Sequence, residues 1–251
     1  MRPSARGPNR FCETWCEAEA VSQRIGRPAG LKFRNIEKRF GKLYALRRLN
    51  MEIAPGECVG LTGRNGSGKT TLLRVASRLT RPTRGEVTFP GLKEAEAPAI
   101  GYVSHAVMIY DELTAAENLL LFARLLGIPE PGKRVQGLLE ATNLASRAGS
   151  LARTFSRGMK QRLAIARALL QEPDLLLLDE PSTGLDTESA SWLVDTVRRL
   201  RDEGRTIVMS LHGESALSQL ATRAARLDAG TLVADTRAGA TFQNVFAAAE
   251  A

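Results

Sequence analysis

Long apolar runs are missing from this sequence of 251 residues. The longest candidate, residues 119–128, is interrupted by Arg124, and a membrane-spanning helix needs ~18 consecutive apolar residues. The arginines near the N-terminus have no apolar stretch behind them, which excludes a secretory signal, and the glutamates beside them argue against a mitochondrial transit peptide. We therefore expect neither a membrane span nor a cleaved targeting segment.

Cysteine is scarce as well. The sequence has three cysteines, and an odd number does not make a disulfide framework. Cys12 and Cys16 form a C-x-x-x-C pair, but without a second pair or a nearby histidine they do not indicate a zinc site. The expected environment is the reducing cytoplasm.

Runs of basic residues are also absent, although the net charge is +8. No five basic residues follow one another, which argues against a dedicated nucleic-acid-binding arm. A diffuse basic surface suits anionic lipid and nucleic acid equally, so the charge selects no partner and we expect no direct nucleic-acid binding. The hydrophobic content of 43% and charged content of 25% are ordinary for a globular protein, and 22 glycines and 11 prolines without a collagen-like period exclude fibrous and low-complexity classes.

The hydrophobic pattern divides the chain into three parts. Residues 1–30 are polar, contain prolines and show no periodicity, so they are predicted to form a disordered leader. Strand and helix patterns alternate over residues 31–235, with a mainly helical interval at about 106–172. Apolar side chains recur at helical spacing within residues 236–251, which predicts a short C-terminal helix or tail.

Individual segments within the domain have clear signatures. The leucine run 175–178 is apolar on both faces, as a central parallel strand must be when helices cover both sides of the sheet. Thr114 and Glu117 have the spacing of a helix capping box. A further helix is predicted near residues 215–225, before a hairpin at Gly230. Together these segments predict an α/β fold with an inserted all-helical subdomain.

A phosphate-binding loop follows the apolar strand 58–61, because the next residues fit the pattern G-x-x-x-x-G-K-[ST]. Glycines let backbone N–H groups face phosphate oxygens, and the following helix adds the positive end of its dipole. Lys69 is expected to reach the β- and γ-phosphates of a nucleotide, and Thr70 to ligate Mg²⁺. The alternative, a plain tight turn, leaves the flanking strand and helix unexplained. The loop comprises Gly63, Arg64, Asn65, Gly66, Ser67, Gly68, Lys69, Thr70 and Thr71.

Two carboxylates, Asp179 and Glu180, end the buried strand 175–178. In an open α/β sheet, ligands bind beyond the carboxyl ends of the strands. Asp179 suits the Mg²⁺ shell, directly or through water, and Glu180 is placed to polarise an attacking water as a general base. Ordinary acids at a strand end would explain the pair alone, but that interpretation is weak beside a phosphate-binding loop.

A helix start at residues 155–159 carries the family resemblance. Ser156 is a suitable N-cap and Gly158 leaves room for a neighbouring backbone, although a capped helix packed on a core would show the same residues. The stretch, Phe-Ser-Arg-Gly-Met, resembles the signature L-S-G-G-Q of ATP-binding cassette (ABC) proteins. Over residues 31–235 the sequence resembles the nucleotide-binding subunits of ABC transporters.

The resemblance implies a P-loop NTPase fold of the ABC ATPase type, with a mixed sheet core and an inserted helical subdomain. It also implies hydrolysis of ATP with Mg²⁺ at two composite sites of a homodimer or paired ATPase subunits. Ser156 and Gly158 of one copy would then close over the nucleotide of the other, and Asp186 would lie in the dimer-contact loop. Integral membrane permease subunits would be the partners. The chain would be cytoplasmic, held peripherally on the inner face of the cell membrane by its permease.

Three further positions take their roles from the same resemblance. His212 resembles the switch histidine that contacts the γ-phosphate. Phe40 stands where the family stacks an aromatic ring on adenine, although a core phenylalanine at a strand end is a serious alternative. His105 occupies the place of a usual glutamine, and we expect it to sense Mg²⁺ and water in the glutamine's place.

The departures from the usual motifs suggest a subgroup. His105 and the stretch 155–159 look most like the ATP-binding subunit of the haem exporter of cytochrome c maturation. Export ATPases of the drug or lipid type share the stretch 110–118. The predicted function is therefore the ATP-hydrolysing subunit of a membrane exporter, of haem or of another cargo.

Two other classes compete with the transporter. Soluble ABC ATPases that act on ribosomes resemble two cassettes in one chain, whereas this sequence has one phosphate-binding loop. Those that act on chromosomes carry a long coiled coil between loop and signature, and no heptads separate Lys69 from Ser156. A simple kinase with the same loop leaves His212 and the stretch 155–159 unexplained.

Overall fold

The computed structural model describes residues 29–92, 98–212, 215–239, 241, 242 and 245. Within them lie nine strands and five α-helices. The strands are β1 Leu31–Phe40, β2 Leu43–Ile53, β3 Cys58–Thr62, β4 Arg84–Thr88, β5 Ile100–Val103, β6 Leu175–Asp179, β7 Thr206–Ser210, β8 Arg223–Asp228 and β9 Thr231–Asp235. The helices are α1 Lys69–Ala76, α2 Ala115–Leu125, α3 Pro131–Ala141, α4 Arg157–Ala168 and α5 Thr187–Asp202.

The larger sheet places the ends of three distant segments side by side. Its strand order is β5-β6-β7-β3-β8-β9, and all neighbours are parallel except β8 and β9. Every residue of β3, β6 and β7 is buried, as expected for parallel strands covered on both faces. Asp179 pairs with Ser210, and Ser210 pairs with Leu61. The residues that follow β3, β6 and β7 therefore emerge at one edge.

The smaller sheet is antiparallel, with the order β2-β1-β4. Its apolar face packs with α1 and one face of the larger sheet, forming a single buried cluster that includes Phe33, Leu46 and Leu72. The opposite face is largely polar, which gives the strands their alternating burial. This sheet forms one wall beside the loop that precedes α1.

The helices α2, α3 and α4 all fall between β5 and β6, inside the interval 106–172. The capping box predicted at the start of α2 is confirmed: Thr114 Oγ1 accepts from the N–H of Glu117 at 3.2 Å, and Glu117 Oε2 accepts from the N–H of Thr114 at 2.8 Å. These helices share a second buried cluster with the other face of the larger sheet. In the part of the chain that the structure describes, no helix has the length and apolar character to cross a bilayer.

The predicted helix at 215–225 is wrong. That segment holds a short 3₁₀ turn, Ser218–Leu220, and β8 begins at Arg223. Ala224 and Ala225 favour a helix by propensity, but both are fully buried, one against each face of the sheet. Strand pairing with β3 and burial on two faces outweigh the local preference.

The ends of the domain lie partly outside the described residues. Residues 1–28 of the predicted leader are among these. Ala29 and Gly30 are buried, and the N–H of Gly30 donates to the carbonyl of Pro90 at 2.8 Å. These two residues therefore belong to the packed domain, which begins before the predicted boundary between residues 30 and 31. The predicted tail begins with a 3₁₀ turn, Thr236–Ala238, and most of its remainder is outside the described residues.

Candidate functional site

The loop between β3 and α1 can be built only with glycine at two of its positions. Gly63 has φ +138° and Gly68 has φ +108°, in the region that side chains disfavour. A Cβ on Gly63 would lie 2.2 Å from the carbonyl oxygen of Leu227, and one on Gly68 would lie 2.7 Å from that of Ala45. The loop is therefore packed between β8 and the smaller sheet, with its backbone close to both.

Lys69 opens α1 and folds back across the loop. Its Nζ donates to the carbonyl of Gly63 at 2.6 Å and lies 3.3 Å from that of Arg64. The residue is only 5% exposed. Burial lowers the pKa of Lys69, while the negative charges of Glu180 and Asp179 oppose that change. The lysine is thus a positive charge inside a ring of backbone groups, which is an arrangement suited to phosphate.

Asp179 is the centre of a buried network of oxygen atoms. Its Oδ1 accepts from Thr70 Oγ1 at 3.1 Å and from Ser210 Oγ at 2.8 Å, and its Oδ2 lies 3.5 Å from the Tyr102 hydroxyl. Burial and the Asp179 charge raise the pKa of Tyr102, so the hydroxyl keeps its proton and remains a donor. The carboxylate itself is 1% exposed.

These oxygen atoms fit a magnesium ion. Mg²⁺ prefers oxygen ligands, takes one or two of them from the protein and completes its shell with water and substrate phosphates. Thr70 and Asp179 supply such a pair directly beside the phosphate-binding loop. The described residues contain no cluster of three or more His, Cys, Asp or Glu side chains with metal-site geometry. The donor set therefore suits an ion shared with a nucleotide, and differs from a dedicated all-protein cage.

Glu180 lies between the two histidines of the sequence. His212 Nε2 is 2.6 Å from Glu180 Oε1, and His105 Nδ1 is 3.5 Å from Glu180 Oε2. The Glu180 N–H donates to Ser210 Oγ at 2.8 Å, and its φ of +51° is unusual for a residue other than glycine. Strained backbone of this kind concentrates at functional sites, where surrounding contacts hold it in place.

Ser156, Gly158 and Asp186 lie together, at the starts of α4 and α5. Ser156 Oγ accepts from the N–H of Met159 at 3.2 Å, and Asp186 Oδ1 accepts from the N–H of Ser189 at 2.8 Å. Hydrogen bonds from Ser189 lower the pKa of Asp186. Within the described part of the chain, no hydrogen bond or ion pair joins these three residues to the loop 63–71. Within one chain, these three residues are therefore separate from the phosphate-binding loop.

Phe40 is at the tip of the hairpin between β1 and β2. Its side chain is 54% exposed, so the alternative of a core phenylalanine is wrong. Lys38 Nζ lies 5.0 Å from the ring centroid. The next strand of the hairpin contacts the loop where Ala45 meets Gly68, and the exposed ring is thus on the wall beside the loop.

Sequence reasoning missed Ser210 and Tyr102, which hold Asp179. Both side chains belong to neighbouring strands, and only the sheet order β5-β6-β7 brings them to Asp179. A weak signal was present for Ser210, because it is a hydroxyl residue at the end of an otherwise apolar strand. Tyr102 gave no comparable signal.

A groove of about 600 Å³ lies between β5 and the helices of the interval 106–172. Tyr102 forms its floor near Asp179, and Met108 and Tyr110 line its rim with 49% and 55% of their surfaces exposed. Among the described residues that line it, Arg167 is the one charged residue. Val107 and Ile109 are partly buried against the helical cluster, so the segment 107–110 is divided between core and surface.

The family model for ABC transporters matches residues 46–183. A Nod factor export ATP-binding protein I of Cupriavidus metallidurans is 36% identical over 212 residues, covering 82% of this chain and 70% of that protein. A putative ABC transporter ATP-binding protein of Methanosarcina acetivorans is 34% identical over 215 residues, covering 82% of this chain but 41% of that protein.

Comparison with solved structures indicates the same family. The dimeric structure of a post-hydrolysis state of an ATP-binding cassette, bound to ADP and Pi, superposes with a TM-score of 0.74 at 29% identity. That likeness covers 82% of this chain and 97% of the other. The loop, the paired carboxylates and the mixed sheet agree with these matches, and the chain belongs to the ABC transporter family as an ATP-hydrolysing cassette with the P-loop NTPase fold.

Proposed function

We propose that this chain is the ATP-hydrolysing subunit of a membrane exporter, working as one of two ATPase subunits docked on integral membrane permease subunits. The observation that carries the proposal is the position of Glu180, which both histidines contact beside the Asp179–Thr70 pair. ATP-dependent dimerisation and hydrolysis by the purified chain test it. The Glu180 variant described in the Discussion makes that test specific.

Each group around Glu180 has a separate task in hydrolysis. Lys69 and the loop N–H groups bind the β- and γ-phosphates and orient the γ-phosphorus. Thr70 and Asp179 would hold Mg²⁺, which would supply positive charge beside the phosphate oxygens. Glu180 takes a proton from the attacking water as the new P–O bond forms and the bond to ADP breaks. His212, which lies against Glu180, is expected to reach the γ-phosphate.

The second group of residues acts on the nucleotide of the opposite copy. The start of α4, with Ser156 and Gly158, presents backbone N–H groups and the positive end of a helix dipole. Asp186 begins the neighbouring helix and is expected to contact the partner. Within one chain, Ser156, Gly158 and Asp186 are separate from the loop 63–71. Two copies that face each other would place these residues of each copy beside the loop of the other, which gives two complete sites. Phe40, exposed at the hairpin tip, is expected to stack on adenine.

His105 is expected to position Glu180 and its water, as glutamine does in most of the family. An imidazole nitrogen 3.5 Å from the carboxylate is close enough to bond to it directly after a small movement or through a shared water. We predict that His105→Ala lowers kcat by about tenfold with little change in KM for ATP, which is less than the ~10²–10⁴-fold contribution of a proton-transfer group because His105 acts through Glu180. His105→Gln should retain most of the rate, because an amide can make the same hydrogen bonds. Equal wild-type rates in both variants would show that His105 has no part in hydrolysis.

The groove above β5 is the proposed contact for the permease. Its exposed apolar side chains, Met108 and Tyr110, lie between β5 and α2, Phe122 and Arg167 line it from the helices, and Tyr102, which contacts Asp179, lines it from β5. An element bound in this groove would therefore touch both the helical part and the catalytic part of the cassette. This continuity supports the groove as the place where hydrolysis is coupled to the membrane subunits.

The groove can be tested with one charge substitution. We predict that Tyr110→Asp weakens binding to the solubilised permease subunits by at least tenfold, because a charge replaces an aromatic ring at an apolar contact. ATP affinity should be unchanged, since Tyr110 is exposed and makes no contact with the loop. Val233→Asp is the matched control, because Val233 is 47% exposed on β9, away from the groove. Equal binding by both variants would place the permease elsewhere.

The identity of the exported molecule depends on different residues from the ATPase activity. The resemblance to a haem exporter rests on His105 and on residues 155–159, and these belong to the ATPase site and to the start of α4. They therefore report on catalysis, whereas the permease selects the cargo. Relatives named for Nod factor export support the export direction. Stimulation of ATP hydrolysis by haem in the reconstituted complex tests haem as the cargo against a drug- or lipid-type molecule.

A further inference from the structure

Arg157 stands in the signature stretch where the family usually has glycine, and nothing in the proposed mechanism uses it. Its side chain lies against Gly184, in the loop between β6 and α5. A Cβ built on Gly184 would lie 2.7 Å from Cζ, 2.7 Å from Nη1 and 2.9 Å from Nε of Arg157. These near-equal distances show that the flat face of the guanidinium covers the Cα of Gly184.

The contact depends on glycine at position 184 and on arginine at position 157. Gly184 has φ +71°, and any side chain there would occupy the space that the guanidinium fills. Arginine is planar and stacks on flat groups, whereas lysine carries a compact charge that does not. Among the described residues, Arg157 makes no hydrogen bond or ion pair with a carboxylate, so packing against Gly184 is its evident interaction.

Gly184 is connected to Glu180 through a short hydrogen-bonded turn. The N–H of Thr183 donates to the carbonyl of Glu180 at 3.3 Å, and the N–H of Leu185 donates to that of Ser182 at 3.3 Å. A displacement of Gly184 is therefore transmitted to the backbone of Glu180, which already has a strained φ of +51°.

The start of α4 is joined to the same region at two other points. A Cβ on Gly158 would lie 2.0 Å from Ser189 Oγ, so the two helices touch there, and Arg162 Nη2 lies 3.2 Å from Glu188 Oε1. These two contacts connect α4 to α5, and a Cβ on Gly158 would lie 3.7 Å from Asp186 Oδ2 at the far end of the loop. The Arg157 contact meets the loop at Gly184, closer to Glu180, so Arg157 links the signature stretch to the general base of the same chain.

We propose that Arg157 is a positioning residue that couples the two ATP sites of the dimer. This inference rests on the proposed function, in which the signature stretch of one copy closes on the nucleotide of the other. When that closure moves Arg157, the guanidinium moves Gly184 and thereby orients Glu180 in the copy's own site. Nucleotide bound at one site then favours catalysis at the second, so hydrolysis is cooperative in ATP.

The test is the ATP dependence of the hydrolysis rate in the full chain. The wild type should give a Hill coefficient well above 1, approaching the limit of ~2 set by two sites. Arg157→Ala should bring it to about 1 and lower kcat by about fivefold or more, with ATP binding to the single chain unchanged. Arg157→Lys should behave like Arg157→Ala if packing on Gly184 matters. Arg153→Ala, an exposed arginine on the same segment, controls for the loss of charge.

Several results would overturn the inference. Arg157→Ala with wild-type cooperativity would do so, and so would a wild type that dimerises with ATP but has a Hill coefficient of 1. Recovery of cooperativity in Arg157→Lys would instead assign the role to charge. Failure of the proposed function would give a different result, because the wild type would then neither dimerise nor hydrolyse ATP. Thermal unfolding of each variant separates the proposed effect from simple destabilisation.

Discussion

Replacing Glu180 with glutamine is expected to slow ATP hydrolysis by ~10²–10⁴-fold while leaving Mg-ATP binding intact. The amide has the shape of the carboxylate, so it can keep the contacts that His212 and His105 make, but it cannot take a proton from water. The substitution also removes one negative charge from beside the Asp179 carboxylate and the nucleotide phosphates. Hydrolysis under single-turnover conditions and ATP affinity by equilibrium binding measure the two effects separately.

The same variant should accumulate as an ATP-dependent dimer, because two chains that close on ATP cannot complete the reaction that releases them. Size-exclusion chromatography with and without Mg-ATP detects this dimer. Glu140→Gln, at an exposed position on α3, is the control for the loss of a carboxylate. Turnover close to that of the wild type would remove Glu180 from the role of general base.

The largest expected effect on stability comes from the buried ion pair of Arg223 and Asp235. Arg223 Nε and Nη2 bond to the two carboxylate oxygens at 2.8 and 2.5 Å, and Nη1 donates to the carbonyl of Glu52 at 2.6 Å. The two residues are 4% and 8% exposed. The pair joins β8 to the edge strand β9 and to the end of β2.

Asp235→Ala is predicted to lower the free energy of unfolding by up to about 3–5 kcal/mol, because the buried guanidinium loses its bidentate partner and keeps one carboxylate contact, from Nη1 to Glu57 Oε2 at 3.3 Å. Replacing both residues by apolar ones of similar size should cost much less, since the desolvation of the two charges is then avoided. Urea denaturation of the single and double variants measures this difference. A single variant within about 1 kcal/mol of the wild type would contradict the assignment of a tight buried pair.

The pair also predicts how stability depends on acid. Burial raises the pKa of Asp235, but the hydrogen bond and charge of Arg223 lower it more, so the pKa is below its ordinary value in the folded protein. The unfolded chain has the ordinary value of about 3.9. The stabilisation is therefore complete above that pH and is lost as the pH falls through the lower, folded-state pKa. The stability difference between wild type and Asp235→Asn should shrink over that acid range.

Several features of this chain depend on neighbours in sequence, and these could be predicted without a structure. The loop 63–71 works through the spacing of its own glycines, Lys69 and Thr70. The capping box of α2 joins residues three positions apart. The leucine run of β6 is apolar on both faces, which is the pattern of a strand in the middle of a sheet that is covered on both sides. Local geometry and local burial pattern were enough in these cases.

Other features required the order of the strands. Ser210 and Tyr102 reach Asp179 only because β7 and β5 flank β6, and His105 and His212 meet at Glu180 for the same reason. The alanine-rich segment before Asp228 has the propensity of a helix, but the sheet buries it on both faces as β8. The exposure of Phe40 and the packing of Arg157 on Gly184 likewise follow from contacts between distant segments.

The phosphate-binding loop and the carboxylate pair could be predicted because each lies within one strand, turn or helix, and the alternation of strand and helix patterns predicted the α/β class. The side chains that hold Asp179 and Glu180 in position are apparent only in the folded chain. The physical reason is that parallel strands joined by long connections bring together residues that no local pattern relates. The sheet order β5-β6-β7 fixed those contacts.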